Sequence, residues 1–201
     1  MESLFIPLEE NQFYHIYNRG NNGSTIFFEE RNYSFFLKKL DEYLSDYLFI
    51  YAYCLLPNHF HLLVSVKSFT NLSDEKKYLK KGTQQLTAPS EIISECFRCF
   101  FLSYSKAIKQ QEKRTGSLFE KNHKRIKIEA NNYLLSLVNY IHRNPETHQL
   151  TNDYKIYPYS SFQSMLSHKP TKLRREDVLE WFGGKEHFML YHGGNPCLKI
   201  V

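Results

Sequence analysis

Two histidines stand one residue apart in Leu56-Pro57-Asn58-His59-Phe60-His61-Leu62-Leu63-Val64, just after a Pro-Asn turn. The run from His59 to Val66 has the composition of a strand, and strand residues two apart share a face. His59 and His61 therefore project together, while Phe60, Leu62, Val64 and Val66 point the other way. Two imidazoles one pleat apart can share a divalent metal, each ring giving one nitrogen. The same pair also suits a solvated sheet face. The motif needs a third ligand and a reacting group before it carries chemistry.

The stretch "NNYLLSLVNYIHRNP", residues 131 to 145, can supply both. Leu134, Leu137, Val138 and Ile141 form an apolar helical stripe, and Tyr140 and Asn144, four apart, are neighbours on one helix face. Asn144 can offer an amide oxygen to a metal. Tyr140 can offer a phenol, which suits reversible phosphoryl transfer because phenoxide is both an adequate nucleophile and a competent leaving group. The plainer alternative makes Tyr140 an amphipathic core residue and Asn144 the helix stop before Pro145. His142, two positions from Tyr140, points elsewhere on a helix. His15 is a further imidazole that a first strand would bring near the metal.

The elements that must position these groups read as follows. Residues 12 to 18 form a first strand rich in aromatics, followed by the turn-rich Arg19-Gly20-Asn21-Asn22-Gly23. Residues 30 to 45 are helical through Tyr33, Phe36, Leu37, Leu40 and Leu44. Residues 47 to 56 and 59 to 66 form a hairpin across Pro57-Asn58. A polar loop covers 67 to 86, a long helix 89 to 112, and a fourth strand 117 to 128. A helix over 131 to 143 ends at Asn144-Pro145, and a short helix falls near 174 to 182. The order β-α-β-β-α-β-α predicts an α+β fold of the ferredoxin-like split βαβ type. Helices would cover one face of an antiparallel sheet, and the site would occupy the other. The chain divides into a catalytic unit over 1–150 and a C-terminal extension over 151–201 that packs on or beside it.

Composition agrees with a folded domain: 42% of the 201 residues are hydrophobic and 23% charged. Tyr and Phe, 15 and 16 against one Trp, suit both a sheet and stacking on bases. The net charge of +5 permits a nucleic-acid partner without requiring one. Basic residues crowd 76 to 81, 106 to 114 and above all 121 to 127. No secretory signal or apolar membrane-spanning run is present, so a reducing cytoplasm is expected. Cys96 and Cys99 lie inside a helical stretch with no second pair to complete a zinc site, and read as core or half-buried thiols.

Taken together, "LPNHFHLL" on a strand and "YIHRNP" on a helix roughly eighty residues later resemble the HUH single-tyrosine transposases. Within that family the likeness is to the REP-associated tyrosine transposases and their insertion-sequence relatives. "FYHIYNRGNN", "GSLFEKNHKRIKI" and "YPYSSF" match in order and approximate spacing, so the resemblance covers about residues 10 to 165. It implies that His59 and His61 are the metal-binding histidines, Tyr140 the nucleophile and Asn144 the amide-bearing third ligand, a place where many relatives use Gln. The implied activity is single-stranded DNA cleavage and strand transfer through a 5′-phosphotyrosine, with Mg²⁺ or Mn²⁺. Single-stranded or hairpin DNA would be the partner, without a membrane, at the nucleoid. Relatives work as monomers or dimers, so a homodimer is among the implied arrangements. Lys121, His123, Arg125 and Lys127 alternate onto one side of the basic strand, and Lys121, Lys124, Arg125, Lys127 and Arg19 are the implied DNA contacts. Two other readings use the same residues: a DNA-binding module of this fold without cleavage, and a metal hydrolase using water. The second leaves Tyr140 without a role.

Overall fold

The computed structural model describes residues 6–68, 80–81, 84–86, 88–129 and 131–194. Residues 69–79 of the polar loop, with Lys76 and Lys77 of the basic cluster, and Cys197 lie outside them. The chain forms strand β1 (Phe13–Arg19), helix α1 (Glu30–Leu44), strands β2 (Leu48–Leu56) and β3 (His59–Val66), and two-residue strands β4 (Lys80–Lys81) and β5 (Gln84–Gln85). Helix α2 (Pro89–Gln111), strand β6 (Lys124–Ile128) and helices α3 (Asn131–Thr147), α4 (Phe162–Leu166), α5 (Arg175–Trp181) and α6 (Lys185–Gly193) follow. The main sheet has the order β2-β3-β1-β6, antiparallel throughout. This is the expected α+β architecture.

Strand alternation separates two faces. Tyr14 and Ile16 of β1, Leu55 of β2, and Phe60, Leu62 and Val64 of β3 pack under α1 and α2. The α1 stripe of Tyr33, Phe36, Leu40 and Leu44 is buried against them. The helix starts where Glu29 and Asn32 bond each other's backbone amides, which satisfies donors that a helix start leaves open. The other face carries the histidines. It is not bare: Leu134, Leu137, Val138 and Ile141 of α3 pack there against Ala52, Cys54, Leu56 and Leu63. Helices α4 to α6 extend that layer through Phe162, Val178 and Phe188. A bulge between Ile50 and Ala52 shifts the β2 register. It turns Tyr51 to the α3 side, where its hydroxyl meets Ser65 Oγ at 3.0 Å and its ring stacks on Trp181 at 4.9 Å. Tyr53 packs under α1 and α2 instead.

Two boundaries differ from the sequence expectation. The fourth strand begins at Lys124 rather than at residue 117, because Asn122 adopts a left-handed φ of 65° that breaks the extended run. Upstream, Phe119 makes only an isolated bridge to Gly20. Helix α3 does not stop before Pro145 but runs to Thr147. A proline without N–H deprives only the Ile141 carbonyl of a partner, and His148 N–H closes the final turn on the Asn144 carbonyl at 2.9 Å.

Candidate metal and nucleophile site

The β2–β3 turn is held from outside. Gly20 N–H donates to the Asn58 carbonyl at 2.7 Å, and Ile26 and Phe27 N–H both donate to the Pro57 carbonyl. Gly20 is required there, since a Cβ on it would sit 1.8 Å from the Ser24 carbonyl oxygen. Asn58 Nδ2 donates to the Gly23 carbonyl at 3.3 Å, which leaves Oδ1 to accept from His59 Nδ1 at 2.7 Å. The proton of neutral His59 is thereby placed on Nδ1, and its Nε2 keeps a lone pair.

His61 lies beside it, the two rings 5.3 Å apart and nearly perpendicular. Across the sheet, Tyr17 stands opposite His61, and His15 opposite Leu63. His15 Nε2 and His61 Nδ1 are 2.9 Å apart, so His61 also has only Nε2 unengaged. Tyr17 stacks on both rings, 4.9 Å from His15 and 5.6 Å from His61. Burial pushes the His59 imidazole down to about 4, aided by the charges of His148 and Arg19, and Asn144 opposes the shift. Burial, then the other imidazoles, holds His61 well below its ordinary value. Burial also takes His15 down to about 4. At neutral pH these rings are uncharged, the form that ligates metal.

Helix α3 brings the second half of the site. The Tyr140 ring is 5.6 Å from His61 and 6.1 Å from His15, edge-on to both. Burial raises the phenol above its usual value, the Asn144 amide lowers it and Tyr17 raises it. Asn144 Nδ2 donates to the Tyr140 carbonyl at 2.9 Å. Its Oδ1 is buried and accepts no well-formed hydrogen bond. A buried amide oxygen without a donor costs free energy unless something else is bound there. A divalent cation is such a group: two imidazole Nε2 atoms and one amide oxygen form a donor set suited to Mn²⁺ or Mg²⁺ with water and phosphate oxygen completing it. Among the described residues, no three His, Cys, Asp or Glu side chains come together to hold a metal. The fitting set is two histidines and an amide.

His148 is a residue that the sequence reading did not single out. It lies eight positions after Tyr140 and four after Asn144, on the same face, and its ring meets His59 at 4.5 Å. Ending the helix at Asn144 hid it. His142 does point away: it is fully buried, bonded to His192 and Ser161.

The basic residues divide between the faces. Lys124 is opposite Tyr17, and Arg19 opposite His59, so both lie on the histidine face. Arg19 pairs with Glu120 at 3.0 Å. Lys121 is exposed in the turn before β6. Arg125 and Lys127, opposite Ile16 and Tyr14, fall on the α2 face. Arg125 is buried, donating to His123 Nε2 at 3.0 Å and Ser94 Oγ at 3.1 Å, and Lys127 pairs with Glu9. Arg125 and Lys127 therefore lie on the other side from the histidines, while Lys121, ahead of the left-handed Asn122, falls outside the strand alternation. Arg125 is thus buried on the α2 face, away from the histidines.

No family model matches the sequence, and no curated protein matches it. Among solved structures, a REP-associated tyrosine transposase bound to a REP hairpin superposes with a TM-score of 0.58 at 16% identity, over 85% of this chain and 88% of that one. A bacterial tRNA(His) guanylyltransferase-like protein in complex with ATP gives a TM-score of 0.42 at 11% identity, over 90% and 74% of the two chains. The second value is too low to carry an argument. The first shows that this chain shares the fold of a REP-associated tyrosine transposase.

Proposed function

We propose that the chain is a tyrosine transposase-like nuclease that cleaves single-stranded or hairpin DNA and transfers the strand. The carrying observation is the convergence of Tyr140 with His61 and His59, with the Asn144 amide close enough to act on both Tyr140 and His59. His59 Nε2, His61 Nε2 and Asn144 Oδ1 would hold a divalent metal, and the fold neighbour's hairpin ligand supports DNA as substrate. The bound cation would neutralise charge on the scissile phosphate. Tyr140 gives up its phenolic proton, its oxygen bonds to phosphorus, and the P–O3′ bond breaks. The proton ends on the leaving 3′ oxygen. The products are a 5′-phosphotyrosine and a free 3′-hydroxyl, and reversal by another 3′-hydroxyl rejoins a strand without ATP. Because burial raises the Tyr140 phenol, it is protonated at neutral pH before substrate arrives. Lys124 and Arg19 lie on the histidine face and suit phosphates, and exposed Lys121, in the turn before β6, is a further candidate contact.

The test is a denaturation-resistant adduct. Wild-type protein with Mn²⁺ and a labelled single-stranded hairpin substrate should yield DNA linked through its 5′ phosphate to a peptide containing Tyr140. Tyr140→Phe should bind metal and DNA and form none. Cleavage that persists in Tyr140→Phe would assign the attack to water. DNA binding by the wild type with neither cut nor adduct would return the binding-module reading.

A further inference from the structure

We propose that His15 is a positioning residue that fixes the tautomer and orientation of His61 for metal binding, an inference that rests on the metal reading above. The pair His15 Nε2···His61 Nδ1 is buried and 2.9 Å long, so one proton lies between the two nitrogens. Which ring owns it decides whether His61 can act. If His15 donates, neutral His61 carries its own proton on Nε2 and has no lone pair for a metal. If His61 donates, its Nε2 is free. The near-parallel stack of the two rings, 22° at 5.1 Å, fixes the plane in which that lone pair points.

The second arrangement has an internal cost that a ligand offsets. With His15 Nε2 accepting, the proton of His15 must sit on Nδ1, and that atom is buried without a hydrogen-bond partner. An unpartnered buried donor is costly, so the metal-ready arrangement gains its advantage when a cation occupies His61 Nε2. His59 needs no such device, because Asn58 Oδ1 can only accept and already holds the proton on Nδ1. The two ligands are thus oriented differently, one by an amide and one by a third histidine.

Mn²⁺ binding to DNA-free protein, followed by electron paramagnetic resonance titration, tests this without recourse to activity. His59→Ala should abolish saturable binding. His15→Phe keeps the ring volume but removes the acceptor, and should weaken binding about 10–100-fold, the usual effect of losing an outer partner of a metal-bound histidine. His15→Gln places an amide oxygen near the former Nε2 and should restore most of the loss. Unchanged affinity in His15→Phe, or equal losses in Phe and Gln, overturns the inference and leaves the metal site standing. Absence of saturable binding in the wild type, or binding indifferent to His59→Ala, overturns both. Should His15→Phe fail to fold, the ¹⁵N spectrum of Mg²⁺-loaded wild type decides. A His61 proton on Nδ1 supports the inference, and one on Nε2 overturns it.

Discussion

His142 of α3 and His192 of α6 meet with every ring nitrogen engaged, whereas His15, His59 and His61 meet on the same side of the sheet with nitrogens to spare. In the first group a single proton order satisfies all partners. His192 Nδ1–H donates to the Phe188 carbonyl at 2.8 Å, His142 Nδ1–H to His192 Nε2 at 3.0 Å, and Ser161 Oγ–H to His142 Nε2 at 2.8 Å. Tyr53 N–H completes the chain by donating to Ser161 Oγ at 2.9 Å. In the second group His15 Nδ1 and Asn144 Oδ1 are buried and unmatched. Saturated polar networks specify packing, and unsaturated ones keep free energy available for a ligand. The same residue type therefore serves structure at one place and, in the function proposed above, chemistry at the other.

The largest expected effect lies on the chemical side of this contrast. His59→Ala or His61→Ala should each reduce metal-dependent DNA cleavage by more than about 100-fold, since losing merely an outer partner of a metal ligand costs roughly 10–100-fold. The urea midpoint of His59→Ala should hardly move, because His59 is partly exposed, whereas His61→Ala empties a buried position beside His15, Tyr17 and Tyr140 and should lower it. Cleavage retained at wild-type rate by either variant would place the metal elsewhere.

The converse should hold for the saturated group. His142→Phe leaves His192 Nε2 without a donor and strips the Ser161 hydroxyl of one partner, though it keeps Tyr53, and should cost about 1–3 kcal/mol of stability by urea denaturation. Mn²⁺ affinity of the folded fraction should stay at the wild-type level. Acid should read the same network. Burial holds His192 down at about 4, against an ordinary 6.5 when unfolded. The unfolded chain then binds more protons between those values, so stability is full above about pH 6.5 and falls as pH drops toward 4. A single such ring gives a slope of about 1.4 kcal/mol per pH unit, and His192→Phe should reduce the acid slope by that share, leaving the part carried by the other buried imidazoles. An acid limb unaltered in that variant would show that other groups carry it.

Much of this was legible in the sequence because it followed from local periodicity. The His59/His61 alternation, the Tyr140/Asn144 helical spacing and the β-α-β-β order each need only a strand period or a helix period. What failed needed tertiary context. Asn122 breaks the fourth strand through one left-handed residue, and nothing in "GSLFEKNHKRIKI" marks it as such. Pro145 stops many helices, but here it falls in the last turn, where only one carbonyl is left over. Assuming the stop removed His148 from view. The pairing of His15 with His61 depends on strand register across 46 positions, and that of His142 with His192 on the C-terminal helices across 50. Neither has a sequence signature. Arg125 is the instructive case: strand alternation puts it on one side with Lys127, yet that side was fixed only by the pairing of β6 with β1, and Lys121 drops out of the alternation at Asn122.

That pairing yields the smallest expected effect and a direct test of which face meets DNA. Lys124 and Lys127 are three apart on one five-residue strand, carry the same charge, and point to opposite faces. Lys124 is exposed beside Tyr17, on the side of His61. Lys127 is tied to Glu9 at 2.5 Å on the α2 side. A phosphate backbone lying across the histidine face would release a counterion at Lys124 and none at Lys127. Lys124→Glu should therefore weaken single-stranded DNA binding several-fold, and reduce the slope of log affinity against log salt by about 0.7, the value for one phosphate contact on a single strand. Lys127→Glu changes net charge by the same amount and should leave that slope in place, shifting affinity only through the weak, screened field of a distant surface charge. Fluorescence anisotropy of a labelled hairpin across a salt series separates the two. Equal losses from both substitutions would mean that binding follows net charge alone, and that the histidine face has no privileged contact with the strand.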